Sequence, residues 1–277
     1  MATFGNRKLF IFAADQKMEH LNADFLGEKI STDAADPEHL FKIAQAGKPD
    51  FFATHLGLIE QYGSSYKDVK YLAKLNGRTN CMSSEMDDPK SPLLWSVADV
   101  VELAKAQSLN IGAVGYTIFL GSKYENVMLQ EAAKVVRDAH RAGLVSGLWI
   151  YPKGASVKNK FDPSLAAGAA GIAVSLGADF VKIYAPRLEE EKDLKTNSEP
   201  RARLLVPAVN AAGRCKVICA GGKQYKLNEF LENIWHQVNT GGVFGVAVGR
   251  NIFQRPFKEA VEICNAIKEI IHEGASF

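Results

Sequence analysis

A chain of 277 residues has room for two average domains or for one α/β barrel. Its 47% hydrophobic and 23% charged residues exclude general disorder. A net charge of +2, from 33 basic and 31 acidic residues spread along the whole length, excludes a strong field for nucleic acid or an anionic membrane, so any anionic ligand has to be held by a local site.

In chain order, the first apolar run is "KLFIFAAD", which is too short for a secretory segment and leads directly into Asp15; it reads as a strand. Seven runs of the same kind follow: "PDFFATHLG", "KYLAKLNG", "NIGAVGYTIF", "SGLWIYP", "ADFVKIYAP", "CKVICAGG" and "GVFGVAVGR". The segments between them carry apolar residues at spacings of three and four, most clearly Ser96 to Gln107, Tyr124 to Ala142, Leu227 to Asn239 and Pro256 to Ile271, and these spacings predict helices. Asp36-Pro37 and Asp162-Pro163 place a capping carboxylate before a first-turn proline, while Gly143, Gly177 and Gly213 fall just past helix ends. Eight strands alternating with helices predict a single (β/α)8 TIM barrel, one domain over residues 1–277, with no linker or short repeat dividing it. Cys81 to Pro92 is expected to be a long loop after strand three, at the end of the barrel where such loops cover a site.

The longest uncharged stretch, Pro163 to Ala178, falls short of a bilayer span, so no membrane partner is expected. Cys215 and Cys219 would lie about 13 Å apart on one strand, too far for a disulfide, and reduced thiols in a cytoplasmic protein are the expectation.

The chemistry centres on Lys182 in "GADFVKIYAP". Phe180, Lys182 and Tyr184 share one parity and Val181 and Ile183 the other, and the aliphatic pair suits the helix layer, which turns Lys182 into the barrel. Desolvation there favours the neutral, nucleophilic amine of a Schiff-base lysine; neutralising a core carboxylate is the bland reading. Strand one ends in Asp15, which can orient an amine or a hydroxyl, and strand five carries Trp149 and Tyr151, a cavity wall and a phenol able to exchange a proton. Lys74 on strand three is expected to snorkel to the rim, within reach of substrate; pointed inward, it would lower the Lys182 pKa further. Gly221 and Gly222 after strand seven, Gly249 after strand eight and the adjoining Arg250 let backbone N–H groups and a guanidinium meet a phosphate. The six histidines include no helical i, i+4 pair; His20 and His55 are placed near the barrel mouth, but histidines without metal are the expectation. Neither a dinucleotide glycine motif after the first strand nor a Walker loop is present, so no cofactor is expected.

In order, "AADQKMEH", "LAKLNG", "AVGYTIFLGS", "LWIYPKG", "ADFVKIYAP", "AGG" and "AVGRNIFQR" resemble the archaeal-type class I fructose-1,6-bisphosphate aldolases, also found in bacteria, over nearly the whole chain. The resemblance implies a metal-independent barrel enzyme that reversibly cleaves fructose 1,6-bisphosphate to dihydroxyacetone phosphate and glyceraldehyde 3-phosphate. It implies Lys182 as the Schiff-base lysine, Tyr151 as general acid/base, Asp15 as the polar group ending strand one, Trp149 as a wall, and Gly221, Gly222, Gly249 and Arg250 around the ketose phosphate. A homo-oligomer is implied as well. The chain departs from the family pattern at Lys17 (usually Gly), Lys153 (usually Arg), Tyr184 (often a second Lys) and Ala220 (a Ser), which bears on substrate detail, including the second phosphate. Two rivals remain at this stage: a related Schiff-base lyase or transferase acting on another phosphorylated ketose, and a non-catalytic sugar-phosphate-binding homologue.

Overall fold

The computed structural model describes residues 7–81, 88–187 and 198–275. Short runs of aliphatic and aromatic residues, buried on both faces, form the strands β1 (Leu9–Ala13), β2 (Phe51–His55), β3 (Tyr71–Lys74), β4 (Ile111–Leu120), β5 (Val145–Pro152), β6 (Phe180–Ile183), β7 (Lys216–Ala220) and β8 (Gly245–Val248). All eight are parallel and close in sequence order, with Leu9 of β1 opposite Gly245 of β8 at the seam. This is the expected TIM barrel.

Strand parity divides the apolar residues into two layers. Leu9, Ile11, Phe51, Leu72, Trp149, Phe180, Ile218 and Ala247 pack together inside the barrel. Phe10, Phe12, Ile150, Val181, Ile183 and Val246 turn outward onto the helices. The helices are α1 (Gln16–Glu19), α2 (Pro37–Gly47), α3 (Leu56–Tyr62), α4 (Val97–Gln107), α5 (Glu125–Arg141), α6 (Pro163–Ser175), α7 (Ser198–Arg203), α8 (Val206–Ala212), α9 (Leu227–Asn239), α10 (Arg250–Phe253) and α11 (Phe257–Lys268). The last of these continues into a π-helical turn at Glu269–Glu273.

The helix starts follow the local signals. Asp36 accepts a hydrogen bond from the Glu38 N–H at 2.9 Å, and Asp162 accepts one from the Ser164 N–H at 2.7 Å, each just before its first-turn proline. Ser96 and Asp99 form a reciprocal capping box at α4: the Asp99 N–H donates to Ser96 Oγ at 3.2 Å and the Ser96 N–H to Asp99 Oδ2 at 2.7 Å. Ser96→Ala is expected to cost about 1 kcal/mol of folding stability, read as a lower urea midpoint at constant m-value; an unchanged midpoint would show the cap to be redundant.

Two strands are shorter than their apolar runs. β3 stops at Lys74, and Asn76 instead bridges Leu93 across the entrance of the following loop. β6 stops at Ile183, so Tyr184 stands just past the strand, in the connection above it. Of the long loop expected at Cys81 to Pro92, residues 82–87 lie outside the described residues. Its far end is tied down: Asp88 accepts from the Lys123 N–H at 2.9 Å, and the Ser122 hydroxyl donates to the Pro89 carbonyl at 2.7 Å. No described helix is long and apolar enough to cross a membrane. The four cysteines are free thiols.

Candidate active site

A cavity of about 190 Å³ opens at the C-terminal ends of the strands. It is lined by Asp15, Glu19, His20, Trp149, Tyr151, Lys182, Tyr184 and the residues following β7 and β8. A larger cavity of about 740 Å³ lies at the opposite end, against the first residues of β1, β2 and β5, and holds none of these groups. The chemistry therefore collects in the smaller one, at the end where barrels place it.

Lys182 projects inward as its parity predicts. It pairs in register with Trp149, is 4% exposed, and places Nζ 5.1 Å from the centre of the Trp149 ring. Among the described residues no hydrogen bond or ion pair ties its amine down, so the nitrogen is free to react. Burial pulls the Lys182 ammonium below the usual lysine range; the carboxylates of Asp15 and Glu19 oppose the shift in part, and the cations of Lys74 and Arg250 add to it. Asp15 sits where β1 gives way to α1 and is 3% exposed. Burial alone would raise its carboxyl, but Lys182 and then Lys74 hold it below the usual carboxylate range, so it stays an anion beside the Lys182 amine.

Lys74 does not snorkel to the rim. It is fully buried and absent from the cavity lining; its Nζ donates to the Asn76 carbonyl at 3.0 Å and Asn76 Oδ1 at 3.1 Å and reaches Glu19 Oε1 at 3.4 Å. The reason lies in the early end of β3. Asn76 folds back under the mouth, where its amide donates to the carbonyls of Ser91 at 2.9 Å and Thr117 at 2.8 Å and accepts from the Thr117 N–H at 2.7 Å. An amide so fixed offers oxygens that replace the water a rim lysine would seek. Lys74 is thus a cation beneath the cavity, acting through its field rather than by touching the cavity's contents. His55, buried and opposite Lys74 in register, hydrogen-bonds the Asn76 carbonyl at 3.3 Å; burial and the Lys74 charge push it down to about 4, which keeps it neutral.

Tyr151 lines the cavity and stacks on Tyr184, ring centres 4.3 Å apart and 18° from parallel. Burial, then Tyr184 and the charges of Asp15 and Glu19, raise the Tyr151 phenol well above its ordinary value, so it is held protonated as a donor. Tyr184, where the family pattern often has a cation, is itself pushed up to about 12 and serves as an aromatic wall.

At the far side, Gly221, Gly222, Gly249 and Arg250 line the same cavity. Gly249 caps α10, and a Cβ there would fall 2.4 Å from the Ala13 carbonyl oxygen, so only glycine lets β8 turn this close to β1. Arg250 is anchored twice: its Nε donates to the Gly222 carbonyl at 3.2 Å, and Nη1 lies 3.7 Å from Asp24, which also shares a 2.5 Å hydrogen bond with His20. The two glycine turns are stitched together by Asn251, whose amide donates to the carbonyls of Gly221 at 3.0 Å and Lys223 at 2.9 Å. Sequence reasoning places Asn76 with Lys74 among the polar groups at the end of strand three but passes over Glu19 and Asn251. Glu19 stands inside the motif "AADQKMEH", so its place in that run was the signal; nothing local marked Asn251. Among the described residues no group of three His, Cys, Asp or Glu side chains is arranged to hold a metal ion.

The model of the family described as DeoC/LacD family aldolase matches residues 9–255. The chain belongs to the DeoC/LacD aldolase family. Within it, this aldolase is 48% identical over 268 residues to the Methanocaldococcus jannaschii fructose-bisphosphate aldolase/6-deoxy-5-ketofructose 1-phosphate synthase, a match covering 97% of this chain and 83% of that protein. A solved fructose-bisphosphate aldolase from Slackia heliotrinireducens superposes with a TM-score of 0.91 at 43% identity, covering 98% of this chain and 83% of the other. An archaeal fructose-1,6-bisphosphate aldolase, solved with its catalytic lysine covalently bound to the carbinolamine intermediate of the substrate, superposes with a TM-score of 0.80 at 32% identity over 96% of this chain and 95% of the other.

Proposed function

We propose that this chain is a class I, Schiff-base fructose-bisphosphate aldolase that cleaves fructose 1,6-bisphosphate reversibly to dihydroxyacetone phosphate and glyceraldehyde 3-phosphate. The observation that carries the reading is Lys182: a buried, untethered amine of lowered pKa, inside a cavity that also holds Tyr151, Asp15 and a glycine-and-arginine end suited to phosphate. The neutral amine adds to the C2 ketone, water leaves, and the resulting iminium draws in the electrons of the C3–C4 bond as it breaks. Asp15, ionised and adjacent, stabilises that iminium. Tyr151, held protonated, is suited to donate a proton to the enamine carbon. Gly221, Gly222, Gly249 and Arg250 would fix the phosphate of the ketose half, and Trp149 would bound the reacting carbons. The family resemblance also supports a homo-oligomer working in the cytoplasm on the glycolytic or gluconeogenic ketose.

Borohydride reduction in the presence of dihydroxyacetone phosphate should add one reduced three-carbon adduct to the peptide carrying Lys182; an unmodified peptide would sink the assignment. A second reading is favoured by Tyr184 and Ala220, which put an aromatic ring and a methyl where a second cation and a hydroxyl would help hold two phosphates. In that reading the same lysine acts on a ketose with one phosphate and passes the three-carbon unit to another aldehyde. Turnover of fructose 1,6-bisphosphate and fructose 1-phosphate measured side by side separates the two, and turnover of neither, with binding retained, would instead favour a non-catalytic homologue.

A further inference from the structure

The cavity holds a carboxylate that the cycle above leaves idle. Glu19 stands one turn after Asp15 on α1, so both acids leave the same short turn and line the same cavity as Lys182 and Tyr151. The Glu19 side chain is 20% exposed, while Lys74, 3.4 Å from its Oε1, is wholly enclosed. Asn76 grips that lysine through two oxygens and is itself fully hydrogen-bonded, so Glu19 is held from below by an anchored cation while its side chain lines the cavity.

We propose that Glu19 is the base that takes the C4-hydroxyl proton during cleavage and the acid that returns it during synthesis, with Asp15 left as counter-ion of the iminium and Tyr151 as the donor to C3. This rests on the Schiff-base reading and deepens it. The step balances as follows. The O4–H bond breaks and its proton goes to the Glu19 carboxylate; the O4 electrons form the aldehyde carbonyl; the C3–C4 bond breaks and its electrons become the enamine double bond. Tyr151 then protonates C3; once the aldehyde has left, Glu19 gives its proton to water and the phenolate takes one from water, restoring both groups before water releases the ketone.

The three acids divide the work by environment. Asp15, held low, is a weak base; Tyr151, held high, has no phenolate to offer in the resting site. Burial raises the Glu19 carboxyl and the Asp15 charge adds to this, while Lys74, His20 and Lys182 offset part of the shift. Facing it are Lys74 on β3, Asp15 and His20 on either side of α1, Lys182 on β6, and the phenols of Tyr151 on β5 and Tyr184 beyond β6. A carboxylate whose affinity for a proton is raised accepts one more readily than Asp15, whose affinity is lowered.

The competing role is structural: Glu19 merely neutralises Lys74. Glu19→Gln and Glu19→Asp separate the roles by three readouts on the full chain. These are borohydride trapping with dihydroxyacetone phosphate, exchange of its C3 hydrogen for deuterium in D2O, and kcat for fructose 1,6-bisphosphate cleavage against pH. Trapping and exchange need Lys182 and Tyr151 but no C4 hydroxyl. For Glu19→Gln they should stay within about threefold of the parent while cleavage falls about 100-fold or more and kcat loses its acid limb. Glu19→Asp should restore part of the rate with the limb displaced. Equal losses in all three readouts, or cleavage left unchanged, would overturn the proposal, and if the Gln variant does not fold, an undisplaced limb in Glu19→Asp overturns it. Failure of the Schiff-base reading looks different: the parent protein itself would trap nothing.

Discussion

Lys182→Met is expected to abolish borohydride trapping and to lower kcat/KM for aldol cleavage on the order of 10⁴-fold or more, since the other lysine lining the cavity, Lys153, is exposed to solvent rather than buried. Lys74 is the nearest substitute by charge, but it is sealed beneath the cavity and bound to Asn76 and Glu19. Arg250 stays protonated and cannot attack a carbonyl. Stability should hardly change. Methionine matches the lysine stem in volume and removes the burden of a desolvated amine, which offsets the cation that Asp15 loses, and Lys74 remains beside Asp15. A melting temperature within about 4 °C of the parent is expected, the shift that about 1 kcal/mol produces in a domain of this size. A variant that keeps more than a hundredth of the parent activity would refute the role of Lys182. In the parent, the rate of imine formation against pH should rise through a limb below the pKa of a free lysine, because burial lowers the folded-state value; a limb at the ordinary lysine position would show the amine to be solvated.

The largest effect on stability is expected at Gly245. It stands opposite Leu9 where β8 meets β1 to close the barrel, and an added Cβ would fall 1.8 Å from the Leu9 carbonyl oxygen and 2.7 Å from its carbon. Those are backbone atoms of the neighbouring strand, so no side chain can swing aside, and the seam has to open to admit a methyl group. Gly245→Ala should cost about 3 kcal/mol and lower the melting temperature by roughly 6–12 °C. Activity should fall with it. β1 delivers Asp15 and β8 delivers Gly249 to the same cavity, and a seam displaced by even a fraction of an ångström moves one against the other. Calorimetric scans that overlay the parent would show the seam to be pliant.

Much of this was legible in the chain. Short apolar runs separated by segments of period three to four led to eight strands and their helices, and the two Asp-Pro signals located helix starts within a residue. The inward turn of Lys182 was legible for the same local reason: with Val181 and Ile183 owed to the helix layer, the intervening lysine had one direction left. Glycines after the last two strands marked the end proposed to hold phosphate, because a backbone that must approach another closely cannot carry a side chain.

What the sequence determined by itself, then, was the order and handing of elements and the parity of each strand, since these depend on residues within a few positions of one another. The tertiary structure alone decided the partners. Lys74 could be a rim lysine or a buried one, and the choice fell to Asn76, whose amide is locked by Ser91 and Thr117 from outside its own strand. Glu19 became a cavity carboxylate only because barrel closure set α1 over β3 and gave it Lys74, 55 positions away. Tyr184 lost its place on β6 and gained a stacking partner in Tyr151. A charge buried in a barrel is defined by which opposite charge or fixed dipole comes within a few ångströms of it, and that distance is set by closure of the sheet, which no local pattern records.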